Sequence, residues 1–189
     1  MATIPPQTLA PPPYALDITV AHALTSEAAA IAKLGVDTFT ATYGFSLPAK
    51  DLAEFLAATY SEVTVLTGLQ DPRVQTLAAR DAAGKVLGFV QLVRGHTVPC
   101  VPGDPATHAE LRRLYVDTTA HGRGIGSKLI AAVEEQARAE GFKQLWLTVW
   151  EHADKPGRLY QKLGYQKYGT TEFPLGSSSH TDYVLSKGL

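Results

Sequence analysis

At 189 residues, with 45% apolar and 19% charged residues, the chain is sized and composed for one globular domain with a sizeable core. A net charge of −1 gives no bulk electrostatic pull toward nucleic acid or an acidic membrane, and no apolar run is long enough to span a bilayer. The single cysteine, Cys100, excludes an intramolecular disulfide and suits a reducing compartment; the N-terminus lacks the basic and apolar regions of a signal peptide, so the expected location is cytoplasmic.

Residues 1–13 carry five prolines, which remove backbone donors and favour extended chain, so they read as a loose tail before a single domain at 14–189. Leu16, Ile18 and Val20 alternate with polar or small residues as a strand does. Thr25 or Ser26 then caps a helix with Glu27 in its first turn; Ala28, Ile31, Ala32 and Phe39 share a face, Gly35 is a weak spot, and Gly44 closes it. Pro48 opens a second helix, with Leu52, Phe55, Leu56 and Thr59 at helical spacing, and a link runs on to Pro72. Residues 74–81 and 86–94 read as strands, joined in a hairpin through Asp81 to Lys85. The proline- and glycine-rich stretch 95–107 is a loop.

The strand at 108–117 is irregular. Leu111 and Tyr115 lie on one phase, Leu114 and Val116 on the other, which fits either burial of both faces or a bulge near Arg112 and Arg113. A bulge would part this strand from a neighbour and open a slot. A turn bearing Gly122, Gly124 and Gly126 follows, and then a helix at 127–140 with Leu129, Ile130, Val133 and Ala137 inward and Lys128, Glu134, Glu135 and Arg138 outward. A turn without Cβ atoms, placed before a helix whose first N–H groups lack partners, is an anion site, with a diphosphate as the usual anion. Gly141 ends this helix. Residues 143–150 are apolar on both phases, as a central strand is; 158–163 form a short helix stopped by Gly164; and 165–173 and 181–186 are two last strands joined by the flexible segment PLGSSSH.

Several chemistries are excluded by motif. The glycine turn does not have G-x-G-x-x-G spacing, no phosphate loop ends in Lys-Ser/Thr, and no G-x-S-x-G elbow is present. Neither H-E-x-x-H nor a clustered His/Cys set argues for a metal. What remains resembles the GNAT superfamily of N-acetyltransferases. Three blocks carry the resemblance: LRRLYV at 111–116 with HGRGIG at 121–126, LWLTVWEH at 145–152, and LYQKLGY at 159–165. Within the family, ELRRLYV, the Trp-Glu-His segment and a C-terminal HTDY are similar to the polyamine or diamine N-acetyltransferase group.

The resemblance implies an α/β (in stricter usage α+β) fold, with a mixed, mostly antiparallel central sheet of about seven strands flanked by helices. It also implies acetyl-CoA as cosubstrate and direct transfer to a primary amine. Cofactor-binding residues carried over by position are Leu114, Tyr115 and Val116 on the strand, His121, Gly122, Arg123, Gly124, Ile125, Gly126 and Ser127 at the turn, and Ala153 and Tyr160. Glu110 takes the place of the base and Tyr160 that of the acid, while Val116 N–H would polarise the thioester carbonyl. Glu151 and His152 border the acceptor slot, and His108 is a lesser base candidate. His121 stands where the family has Gln or Arg, Ala153 where it often has Asn, and Pro156 where Ala is usual. Expected partners are a small amine or polyamine, and less readily a protein N-terminus or lysine; a homodimer is compatible, and no metal is implied. Two rival readings stay open: an acyl-CoA-binding or sensing module without catalysis, and a generic nucleotide-phosphate site.

Overall fold

The structure is a computed structural model in which residues 17–189 are described, the side chains of residues 154 and 155 excepted. The proline-rich tail and the start of the first strand at Tyr14 and Leu16 therefore lie outside the described residues. Seven strands form one sheet in the order β1-β2-β3-β4-β5-β7-β6. They are β1 (Thr19–His22), β2 (Val74–Arg80), β3 (Val86–Arg94), β4 (His108–Val116), β5 (Gln144–Trp150), β6 (Gln166–Leu175) and β7 (Ser178–Gly188). Neighbours pair antiparallel except β4 and β5, which run parallel. Parallel strands need a crossover, and the amphipathic α4 (Ile125–Ala139) supplies it. Its Leu129, Ile130, Val133 and Ala137 pack with Leu145, Leu147 and Val149, one phase of β5, into the main core.

The opposite sheet face carries α1 (Ala28–Tyr43), α2 (Ala49–Tyr60) and α3 (Glu62–Gln70). α3 goes beyond the two helices expected before Pro72. Its start is marked by Ser61, whose hydroxyl accepts the Thr64 N–H at 3.2 Å as an N-cap does. At α1 neither Thr25 nor Ser26 caps with its side chain. Instead a short 3-10 turn precedes the helix, and the Glu27 carboxylate accepts Leu24 N–H at 2.7 Å while Arg80 grips both of its oxygens at 2.6 Å.

Gly35 is a close approach rather than a weak spot. A Cβ there would lie 2.4 Å from the Tyr60 ring, so only glycine lets α2 meet α1. Helix propensity alone favours Gly35→Ala by up to about 1 kcal/mol. The overpacking against Tyr60 opposes it by about 1–3 kcal/mol. The substitution is therefore expected to lower stability, read as a reduced midpoint in denaturant unfolding.

Three further expectations change. Glu134 belongs to the buried face: its carboxylate accepts Lys187 Nζ at 2.8 and 2.9 Å and Arg138 at 3.3 Å, which compensates its charge. The helix expected at 158–163 begins earlier, as α5 (Asp154–Lys162), with Pro156 inside its first turn, where a missing N–H is harmless. The segment PLGSSSH is not a loose connection. β6 and β7 pair up to Leu175 and Ser178, leaving only Gly176 and Ser177 as the turn. Gly176 takes φ +60°, and Ser177 donates its N–H and hydroxyl to Asp51 on α2 at 2.9 and 2.6 Å.

Candidate active site

The site begins with a fault in β4. Between Phe89 and Gln91 of β3 lie two steps, but their partners Tyr115 and Arg112 are three steps apart, so β4 carries one extra residue. Arg113 sits in this bulge at φ +55°, the one non-glycine residue of positive φ among the described residues. Such a conformation costs on the order of 1–3 kcal/mol and persists where the surroundings over-determine it. Of the two readings open for this strand, the bulge is the one found. Its consequence is a cleft: β4 and β5 pair only from His108–Gln144 to Glu110–Trp146, and past that point the strands part.

The glycine turn stands at the C-terminal end of that cleft. Gly122 and Gly124 adopt φ +78° and +74°, and a Cβ on either would meet no atom within 4 Å, so the space before α4 is open. Lys128 N–H bonds to Gly124 C=O at 3.0 Å as the first turn of α4, which leaves the N–H groups of Ile125, Gly126 and Ser127 facing that space. A Cβ on Gly126 would make only ordinary contacts, 3.8 Å from Leu159 of α5 and 4.0 Å from Val116 of β4. His121 and Arg123 are exposed at the rim, and His121 Nε2–H donates to Val116 C=O at 3.0 Å, tying the turn to the end of the strand. Ala153 caps α5 through its backbone alone.

At the other end the cleft opens into a cavity of about 560 Å³. Its floor is one phase of the sheet: Trp146, Thr148 and Trp150 of β5 and His180 and Asp182 of β7. Its roof is aromatic, built by Phe39 and Tyr43 of α1 and Phe55 and Tyr60 of α2. Phe39 stacks on Phe55 at 4.5 Å, and Trp150 on His180 at 4.9 Å. Tyr160 of α5 reaches the same cavity beside Leu114 and Tyr115.

Protonation in this cavity follows from burial. Desolvation, with Tyr43 and Tyr115 nearby, raises the Tyr160 phenol above its ordinary range. Tyr43 and Tyr115 are raised for the same leading reason. Burial pushes Tyr60 up to about 12, although its hydrogen bond to the Tyr115 hydroxyl, at 2.8 Å, and the charge of Arg113 pull the other way. At neutral pH all four are neutral phenols. Asp182, also raised by burial, keeps a hydrogen bond from Thr148 that opposes the shift.

Glu110 lines the cavity and is buried, with its carboxylate engaged on both oxygens: Arg112 donates from Nε and Nη2 at 2.9 and 2.5 Å, and His96 Nδ1 lies 2.7 Å away. His96 itself is half exposed and rests against the Trp146 ring at 5.2 Å. His108 has both ring nitrogens engaged, by the Thr97 hydroxyl at 2.7 Å and Pro102 C=O at 3.0 Å, so its role is structural. Glu151 and His152 stand outside the cavity wall, next to Trp150; His152 meets that ring edge-on at 5.2 Å. Sequence reasoning missed His96 and the cavity-facing positions of Arg113 and Asp182. The one local signal among the roof aromatics was the four-residue spacing of Phe39 and Tyr43, which puts both on one helix face.

Comparison with known proteins bears on the family and the fold. The family model described as Acetyltransferase (GNAT) family matches residues 36–165. An uncharacterized N-acetyltransferase of Mycobacterium tuberculosis is 29% identical over 164 residues, 87% of this chain and 99% of that protein. A second, from Lactobacillus delbrueckii, is 29% identical over 81% of this chain and 87% of its own length. The crystal structure of PaiA N-acetyltransferase from Thermoplasma acidophilum in complex with coenzyme A superposes with a TM-score of 0.74 at 18% identity, covering 92% of this chain and 100% of that one.

Proposed function

The chain belongs to the GNAT acetyltransferase family and is an acyltransferase enzyme on that family's fold; from that premise we propose that it moves an acetyl group from acetyl-CoA directly to a primary amine. The observation that carries the reading is the succession of an open glycine turn, the splayed edge of β4 and a half-open aromatic cavity containing Tyr160. A long cofactor with a diphosphate at one end and a thioester at the other matches that succession.

The N–H groups of Ile125, Gly126 and Ser127, with Arg123 at the rim, hold the diphosphate at the helix start. Leu114 and Val116, on either side of the β3-paired Tyr115, turn backbone groups to the edge that β5 leaves free, so the cofactor arm lies beside this stretch as an added strand. When bound, acetyl-CoA supplies an activated acyl carbon. Val116 N–H donates to its carbonyl oxygen and so stabilises the charge that develops there. The amine nitrogen forms the new C–N bond as the C–S bond breaks. Tyr160, held neutral by burial, donates a hydrogen bond to the departing sulfur.

The proton released by the amine passes to Glu110 through water. Because Arg112 occupies both carboxylate oxygens, Glu110 works together with His96, which is exposed enough to pass the proton on to solvent. The Thr148 hydroxyl and the Arg112 guanidinium line the cavity between Asp182 and Glu110 and give that water a polar track. Among the described residues no helix is long and apolar enough to cross a membrane. With the lone Cys100, this keeps the proposed location cytoplasmic.

The test is turnover of acetyl-CoA with a panel of small amines and polyamines, reading free thiol and acetylated amine together. Both are expected for at least one amine. Binding of CoA without thiol release for any amine would favour the non-catalytic module. Glu110→Gln is expected to lower kcat by about 10²-fold while acetyl-CoA affinity stays unchanged. An unchanged kcat would remove Glu110 from the proton path.

A further inference from the structure

Among the charges lining the cavity, Glu110 is paired with Arg112, and Glu172, held by the hydroxyls of Ser179 and Thr181 at 2.7 and 3.2 Å, is exposed to solvent. Two others lie deeper and make no ion pair. The Arg113 guanidinium projects from the β4 bulge over the Tyr60 ring, 5.5 Å from its centre, and no carboxylate lies within 4 Å of it among the described residues. Asp182, on the β7 floor, is 9% exposed; the Thr148 hydroxyl and the His180 ring favour its charge, Glu172 and Glu151 oppose it, and among the described residues no Lys or Arg pairs with it. A buried carboxylate without a counter-charge destabilises a fold, so its presence in a cavity calls for a cation from outside.

The two groups face one space. Both line the same cavity: Arg113 stands on the β4 wall beside the hydrogen-bonded hydroxyls of Tyr60 and Tyr115, and Asp182 on the β7 floor opposite Trp150. Around Asp182 the rings of Trp150, Tyr43 and His180 stand 4.9–6.4 Å apart and offer aromatic faces to a cation.

Building on the amine-transfer reading, we propose that the acceptor is an amine carrying its own carboxylate, an amino acid or close analogue, with the carboxylate on Arg113 and the ammonium on Asp182. Its apolar part packs against Phe39 and Phe55 in the roof. A guanidinium offers a carboxylate two parallel donors and gives the bound amine a fixed orientation. The same guanidinium repels the second cation of a diamine, so Arg113 selects against polyamines. Asp182 anchors the ammonium before the proton leaves toward Glu110, and is a positioning residue in that sense.

The experiment compares matched acceptors in the acetyl-CoA assay: L-phenylalanine and L-glutamine, their carboxamides, and spermidine. The free acids are expected to exceed their amides in kcat/KM by about tenfold or more. Arg113→Gln should erase that ratio. Asp182→Asn should raise the acceptor KM at least about tenfold while raising the thermal midpoint of the empty protein, because a buried uncompensated charge is removed; a purely structural aspartate would not give both. Equal rates for acid and amide, or spermidine as the preferred acceptor, would overturn the proposal while leaving acetyl transfer intact. If no amine is turned over, the transfer reading fails and calorimetric titration of the same acid–amide pairs into the CoA-saturated protein decides. Tighter binding of the acid, lost in Arg113→Gln, supports the proposal, and equal binding refutes it.

Discussion

Gly124→Asp is expected to weaken acetyl-CoA binding by at least about a hundredfold, or about 2.7 kcal/mol, in a calorimetric titration. No atom lies within 4 Å of the added Cβ, so the fold has room for it, but φ +74° strains any residue other than glycine, aspartate less than most. The thermal midpoint should therefore fall modestly, in Gly124→Ala as in Gly124→Asp. The loss of affinity comes from the ligand side. The new carboxylate fills the open space before α4 and sets one anion against another where the N–H groups of Ile125, Gly126 and Ser127 would hold a diphosphate. Gly124→Ala, which adds bulk without charge, should lose less. An affinity for acetyl-CoA unchanged in Gly124→Asp would remove the glycine turn from the cofactor site.

Tyr160→Phe is expected to lower kcat by about 10²-fold with acetyl-CoA affinity nearly unchanged. The ring stays packed on Tyr165, edge to face at 5.6 Å, so the cavity keeps its shape and only the hydroxyl is lost. Its donation strengthens as negative charge builds on sulfur, so the effect belongs to kcat rather than to binding. Burial raises this phenol, so it does not titrate near neutrality, and the pH profiles of wild type and variant should have the same shape below the ordinary tyrosine range. Equal turnover in the two proteins would make Tyr160 a packing residue.

What could be read from the chain follows the range of the forces involved. β3 and β5 were legible because their runs are mostly apolar, and β2 with them because the turn that joins it to β3 is local: Asp81 accepts the N–H groups of Ala83 and Lys85 within five residues. The glycine turn was legible for the same reason: its chemistry is backbone geometry within one short stretch. α3 was missed because Val63, Thr64, Val65 and Thr67 are β-branched and mask a helix that Ser61 starts. The turn at Gly176 and Ser177 looked loose because its restraint comes from Asp51, far away in the chain. Glu134 looked wet for the same kind of reason, since Lys187 lies 53 residues on. The cavity is the extreme case. Phe39, Tyr60, His96, Arg113, Tyr160 and Asp182 come from separate segments, and no local spacing announces that they share one space.

Direct transfer inside a ternary complex is the central claim, and a matrix of initial rates varying acetyl-CoA against the amine tests it most directly. Amine and thioester must be present together between Val116, Tyr160 and Asp182, so the double-reciprocal lines should intersect. The protein mass should show no acetyl adduct after exposure to acetyl-CoA alone. Parallel lines together with an acetylated protein would mean that the chain takes the acyl group itself before passing it on, and would contradict the account.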